Sequence, residues 1–179
     1  MFFMNQSKPA PAPSDAVGAV NDQTMSALRL LLALLTSLVV YLDPSEPERY
    51  VALTYAALIS YTAYSALLYM VARRVGSFSW FLLQSITWTD VVWYSLLIAL
   101  SSGTNSLFFF LYFFAIIAAS SRGGRKLGLA VTLVSAALFT FVGFYSHVAS
   151  PASLNVFLLR PISLVVLGYV LAYWGGAEI

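Results

Sequence analysis

Apolar residues gather along this chain into six long blocks separated by short polar links. The blocks run from Met25 to Leu42, Tyr50 to Val71, Trp80 to Leu100, Leu107 to Ser120, Leu127 to Tyr145 and Asn155 to Trp174. Strands of a membrane barrel would alternate apolar and polar positions. These runs are continuous, and a helix needs about 20 residues to cross a bilayer. The pattern predicts an all-α integral membrane protein, a bundle of six transmembrane helices. The fourth block is short, about 21 Å of helix at about 1.5 Å per residue. It must borrow residues from the preceding turn, tilt little or sit in a thinned bilayer; a re-entrant fourth segment is the rival reading. Residues 1–24 carry Pro9, Pro11 and Pro13 among small polar residues and read as a disordered cytoplasmic arm. Residues 25–174 form the six-helix domain, and 175–179 a cytoplasmic stub.

Composition agrees with that reading. The chain is 60% apolar and 9% charged, with a mean hydropathy of +0.84, whereas soluble domains carry about 25% charged residues. The absence of cysteine removes disulfides, thiolate metal sites and cysteine nucleophiles. Nine basic residues nearly balance seven acidic ones, without a basic run long enough for nucleic acid. No secretory signal is expected, because Met1 to Met4 are too few for its apolar region. The single histidine, His147, falls in a link, which leaves the bundle without paired haem ligands, and no lysine lies inside a block for a retinal Schiff base. No nucleotide-binding loop, nucleophile elbow or zinc-protease motif occurs. Neither a cofactor nor a metal is expected.

The links alternate in charge. Asp43 to Tyr50 is acidic, Ala72 to Ser79 basic, Ser101 to Ser106 uncharged, Ser121 to Lys126 basic, and Ser146 to Leu154 without a full charge. The positive-inside rule then places the second and fourth links, and both chain ends, in the cytoplasm. Lys8 and Arg29 agree with that orientation.

Asp90 stands out. It lies near mid-bilayer, where insertion costs about 2.5–3.5 kcal/mol. At 100° per residue, Trp80, Gln84, Thr87, Asp90 and Tyr94 fall within an arc of about 120°, so this face should turn into the bundle. Two roles suit the carboxyl: a titratable or ligand-contacting group, or a hydrogen-bonded strut between helices. Arg160, just inside the sixth block and followed by Pro161, is a candidate ion-pair partner; snorkelling to the headgroups is the alternative. Thr54, Tyr61 and Ser65 share one face of the second block, beside Tyr55, Thr62 and Tyr69. They suit a cleft for an apolar ligand such as a quinone, or plain interhelix hydrogen bonds. Gly124, Gly128, Thr132, Ala136 and Thr140 recur every four residues and predict a close helix contact, inside the bundle or across a dimer. Trp80 and Trp174 read as interfacial belt residues.

From Trp88 to Tyr145 the chain resembles the six-helix membrane sensor region of bacterial histidine kinases of the pilus-regulating type. The resemblance is carried by Asp90, the turn Ser102-Gly103-Thr104-Asn105-Ser106-Leu107-Phe108, the aromatic Phe109 to Ile117, and Arg122-Gly-Gly-Arg-Lys126. Ser102 and Leu107 stand where that family has Gly and Pro. The resemblance implies a sensory input module in the bacterial inner membrane. A kinase core is expected to be absent from the chain, which lacks a phosphoacceptor histidine and a nucleotide-binding segment. Asp90, Arg160, Gln84, Thr87 and Tyr94 are then the candidate sensing residues, with Ser102, Gly103, Asn105, Ser106 and Phe108 in an outer turn. The expected partners are the lipid bilayer, a second copy or another membrane subunit, and an apolar ligand. Two other functions fit the composition: an accessory subunit of a larger membrane complex, and a small transporter.

Overall fold

The computed structural model describes residues 13–42, 50–75, 78–101, 106–147 and 154–175. Every regular element among them is helical: α1 Pro13–Leu42, α2 Val51–Val75, α3 Trp80–Leu100, a 3₁₀ turn Leu107–Phe110, α4 Leu111–His147 and α5 Leu154–Gly175. Among the described residues, four stretches are long and apolar enough to cross a membrane: Asp22–Leu42, Val51–Val75, Trp80–Leu100 and Leu107–Tyr145. The apolar stretch of α5, Leu158–Trp174, is shorter. Large apolar side chains such as Leu31, Ile59, Val92, Phe141 and Ile162 point outward, as expected of a bundle whose solvent is lipid.

α4 is not one straight rod. Gly124 has φ 65° and ψ −169°, a backbone region open in practice only to glycine, and the chain doubles back there. A Cβ on Gly128 would strike the Ser120 hydroxyl. Eight residues apart on an unbroken helix, those positions would be about 12 Å distant. Further from the turn, the Phe109 and Phe139 rings lie 5.1 Å apart. α4 therefore has two antiparallel arms, before and after Gly124.

Side-chain bonds fix the ends of the bundle. At one end the Phe78 amide donates to Asp22 Oδ2 at 3.1 Å, and Arg122 Nε stands 3.7 Å from Asp22 Oδ1. Asp22 of α1, the residues leading into α3 and the Gly124 turn thus meet, beside Arg73 and Arg74 in the last turn of α2. We call this the basic end. At the far end Tyr55 donates to the Val40 carbonyl (3.2 Å) and Thr54 to the Leu100 carbonyl (3.1 Å). Arg160 Nη1 donates to the Ser106 carbonyl there at 3.2 Å.

The small-residue stripe serves packing within the bundle. A Cβ on Gly128 would sit 3.0 Å from the Ala172 Cβ, and one on Gly168 would run into Thr132. As the second arm of α4 advances by one turn, α5 retreats by one, so the two pack antiparallel with their backbones close. Further along, Ala136 and Thr140 line an open groove with Pro161 and Val165. Arg125 closes the basic end of the pair, its guanidinium 4.4 Å from the Tyr173 ring centre.

One boundary differs from expectation. The arm expected to be disordered over 1–24 is helical from Pro13 onward. Proline suits a first helical position, where its missing N–H is not needed, and Asp22 anchors the segment to α3 and the Gly124 turn. Residues 1–12 and 176–179 lie outside the described residues.

Candidate functional site

α3 places Asp90 at its midpoint, and α1 brings Arg29 against it. Arg29 donates from Nε (2.9 Å) and from Nη2 (2.5 Å), both to Asp90 Oδ2. Both side chains are fully buried, each at 0% exposure. An isolated charge at this depth would be prohibitive. Paired and hydrogen-bonded, the two become tolerable. The guanidinium also stands 6.0 Å from the centre of the Phe114 ring on the first arm of α4.

One helical turn beyond Asp90, Tyr94 carries the polar face further. Its hydroxyl lies 2.8 Å from that of Tyr61 on α2, with the two rings edge to face at 5.6 Å. On its other side Tyr94 meets the ring of Tyr112, again edge to face, and the Tyr112 hydroxyl is 2.8 Å from Ser95 Oγ. Trp93 packs beside Tyr61 at 6.0 Å. The interior thus contains an ion pair capped by hydrogen-bonded phenols, contributed by α1, α2, α3 and α4. An apolar layer of Leu97, Ile98 and Phe108 follows toward the far end.

The expected site residues divide. Thr87, Asp90 and Tyr94 are buried together on the inward face of α3, although Thr87 spends its hydroxyl on the Leu83 carbonyl one turn back. Gln84 is half-buried. Arg160 does not reach Asp90, so of its two readings the ion pair is set aside: it binds the Ser106 carbonyl and stands 5.8 Å from the Phe109 ring centre, at the far end. The depth gap explains this, because Arg160 enters from the end opposite the one Arg29 enters from. In the outer turn, Ser106 Oγ accepts from the Phe108 amide (3.1 Å) and from the Ser101 hydroxyl (2.6 Å), while Phe108 fills the core. Ser102, Gly103 and Asn105 lie outside the described residues.

Four hydroxyls of α2 bond to neighbouring helices, whereas the buried Ser65 Oγ has no partner among the described residues. Thr54 and Tyr61 do so as given above, Tyr55 reaches α1, and Thr62 Oγ1 lies 3.3 Å from Ser37 Oγ. An apolar cleft of about 190 Å³ opens elsewhere, between α1 and the start of α4, lined by Leu32, Leu35, Val39, Phe108 and Leu111.

Sequence reasoning read the Tyr61 hydroxyl as an interhelix bond or a cleft lining, of which the first is found, but it gave Arg29, Asp22 and Arg122 no part in this network. The signal was available in α1, where Asp22, Ser26 and Arg29 stand at helical spacing on one face. Starting the helix at Met25 hid that stripe and put Arg29 at the membrane edge. Among the described residues, no three His, Asp or Glu side chains are grouped to hold a metal ion.

Comparison with known proteins adds no family: no family model matches the chain, and no curated protein or solved structure does either. The fold and composition define the class, an all-helical membrane protein with a buried ion pair at its centre.

Proposed function

We propose that this chain is the membrane-embedded sensory module of a bacterial signal-transduction system, built from six helices that cross the cytoplasmic membrane with both ends inside. The antiparallel arms of α4 support six crossings, as does the passage of α5 from Arg160 at the far end to Ala172 at the basic end. The clustering of Arg73, Arg74, Arg122, Arg125 and Lys126 at one end supports its cytoplasmic placement. In a two-component system such a module would hand its signal to a histidine kinase core.

The Arg29–Asp90 pair carries the reading. It ties α1 to α3 at the centre of the bundle, where the alternatives to pairing are two buried unpaired charges. Any rearrangement that separates α1 from α3 must therefore exchange this bond for another of similar strength. A stimulus shifts such an equilibrium only through a free-energy difference between the two arrangements. The apolar cleft against Leu35 and Val39 borders α1 on the same helix that bears Arg29. An apolar ligand seated there would act on α1 directly.

The test uses the cysteine-free background. Spin labels on Leu31→Cys of α1 and Val92→Cys of α3, both outward-facing, report the α1–α3 distance in bilayers of different acyl length and with an added quinone. A sensing module gives two distances whose populations respond to one of these stimuli, and Asp90→Asn shifts the balance without a stimulus. A single distance, unchanged under every condition and in the variant, overturns the reading.

A further inference from the structure

Asp90 Oδ1, Arg29 Nη1 and Ser26 Oγ are buried without a hydrogen-bond partner among the described residues, as is Ser65 Oγ on α2. Arg29 spends both of its bonding nitrogens on Oδ2, which leaves the second carboxylate oxygen and the second terminal nitrogen unused. Ser26 lies three residues before Arg29 and four after Asp22, so the three share one face of α1, spread over about 10 Å of helix. Asp22 holds the basic end of that face together with Arg122. Arg122, whose side chain is only 3% exposed, also leaves Nη1 without a partner among the described residues. Unsatisfied donors and acceptors thus follow one another from the basic end to the central carboxylate.

Their chemistry selects the ligand. Arg29 Nη1 and Arg122 Nη1 can only donate, Asp90 Oδ1 can only accept, and Ser26 can do either. Two arginines and two aspartates cancel in charge, so an anion or a cation that gains from one pair member is repelled by the other. A small neutral molecule that both accepts and donates satisfies all four. Buried polar groups of this kind are ordinarily completed by ordered water making two to four bonds. We propose that this face of α1 is a water-binding site, a hydrated path running from the basic end past Ser26 to the Arg29–Asp90 pair. The Tyr61–Tyr94 hydroxyl pair and the apolar layer of Leu97 and Ile98 close it toward the far end. Asp90 then has solvent contact from one side of the membrane only. The inference is independent of the sensing reading, since a rigid bundle would hold the same water.

Radiolytic hydroxyl labelling of the full chain in phosphatidylcholine nanodiscs tests it, read by mass spectrometry. Radicals made from bound water oxidise the aromatic rings beside it. Tyr61 and Tyr94, 1% and 0% exposed, are expected to react several-fold faster than Phe108 and Phe139, which are 2% and 1% exposed but lie away from the path. Ser26→Val, which replaces the hydroxyl by a methyl and adds a second methyl, lowers the tyrosine labelling toward the phenylalanine rate at unchanged helix content. Without any variant, water O–H bands in the infrared spectrum that move on exchange into heavy-oxygen water, and differ in Asp90→Asn, report the same molecules. Equal labelling of all four rings, or the lack of exchange-sensitive bands altered by Asp90→Asn, overturns the proposal.

Discussion

Arg29 of α1 places two nitrogens on a single oxygen of Asp90, across from it on α3, with both side chains shut off from solvent. This bond links residues 61 positions apart in sequence and ties α1 to α3. Removing one partner strands the other charge. Arg29→Met or Asp90→Leu alone is expected to destabilise the fold by about 3–5 kcal/mol, whereas the two together recover most of that loss. Reversible unfolding in bilayers, followed for both single variants and the double, measures the cycle. A double variant no more stable than the worse single variant would contradict the pairing.

The Tyr61–Tyr94 hydroxyl pair is the next link of the network. Interhelix hydrogen bonds inside membrane proteins average about 0.6 kcal/mol and reach about 1.7 kcal/mol. Tyr61→Phe and Tyr94→Phe should therefore couple by an amount in that range, favouring the wild-type pair. Both rings remain, so edge-to-face packing is retained and the cycle isolates the hydroxyls. Strictly additive losses would show that the two hydroxyls do not interact.

Gly124 holds the turn between the arms of α4 at a positive φ. No neighbouring atom lies within 4 Å of where its Cβ would be, so the cost of a side chain is conformational alone. Gly124→Ala is expected to destabilise by about 1–3 kcal/mol. Gly123→Ala makes a useful contrast, because its Cβ would collide with the Leu127 side chain and any loss there is steric. Comparing the two by thermal unfolding separates strain from crowding.

The α4–α5 contact predicts a different signature. At Gly168 a Cβ meets all three side-chain heavy atoms of Thr132. Gly168→Leu should therefore push the helices apart and cost at least the roughly 1–3 kcal/mol typical of overpacking. Thr132→Ala in the same chain relieves part of the clash. Partly restored thermal stability in Gly168→Leu with Thr132→Ala, relative to Gly168→Leu alone, is the measurement that checks the interface.

Much of this architecture was legible without coordinates, for reasons that are local. Continuous apolar runs leave helices as the only way to satisfy the backbone in lipid. The polar arc of α3 followed from helical periodicity, which is why Thr87, Asp90 and Tyr94 emerged together on the inward face. The four-residue repeat from Gly124 to Thr140 announced a close contact but not its occupant, since small residues permit approach from any helix. The structure assigns that contact to α5 over Gly128 and Thr132, and reserves Gly124 for a reversal of the chain.

What the linear pattern leaves open is which distant residues meet. Arg29 and Arg160 are alike as letters, each near one end of an apolar block. Only the three-dimensional arrangement shows that Arg29 enters from the basic end and reaches down to Asp90, while Arg160 enters from the opposite end and stops at the Ser106 carbonyl. Hydropathy along a helix is a one-body property, fixed by each segment against lipid. The pairing of buried charges is a two-body property, decided by depth, side-chain reach and the order in which helices stand beside one another.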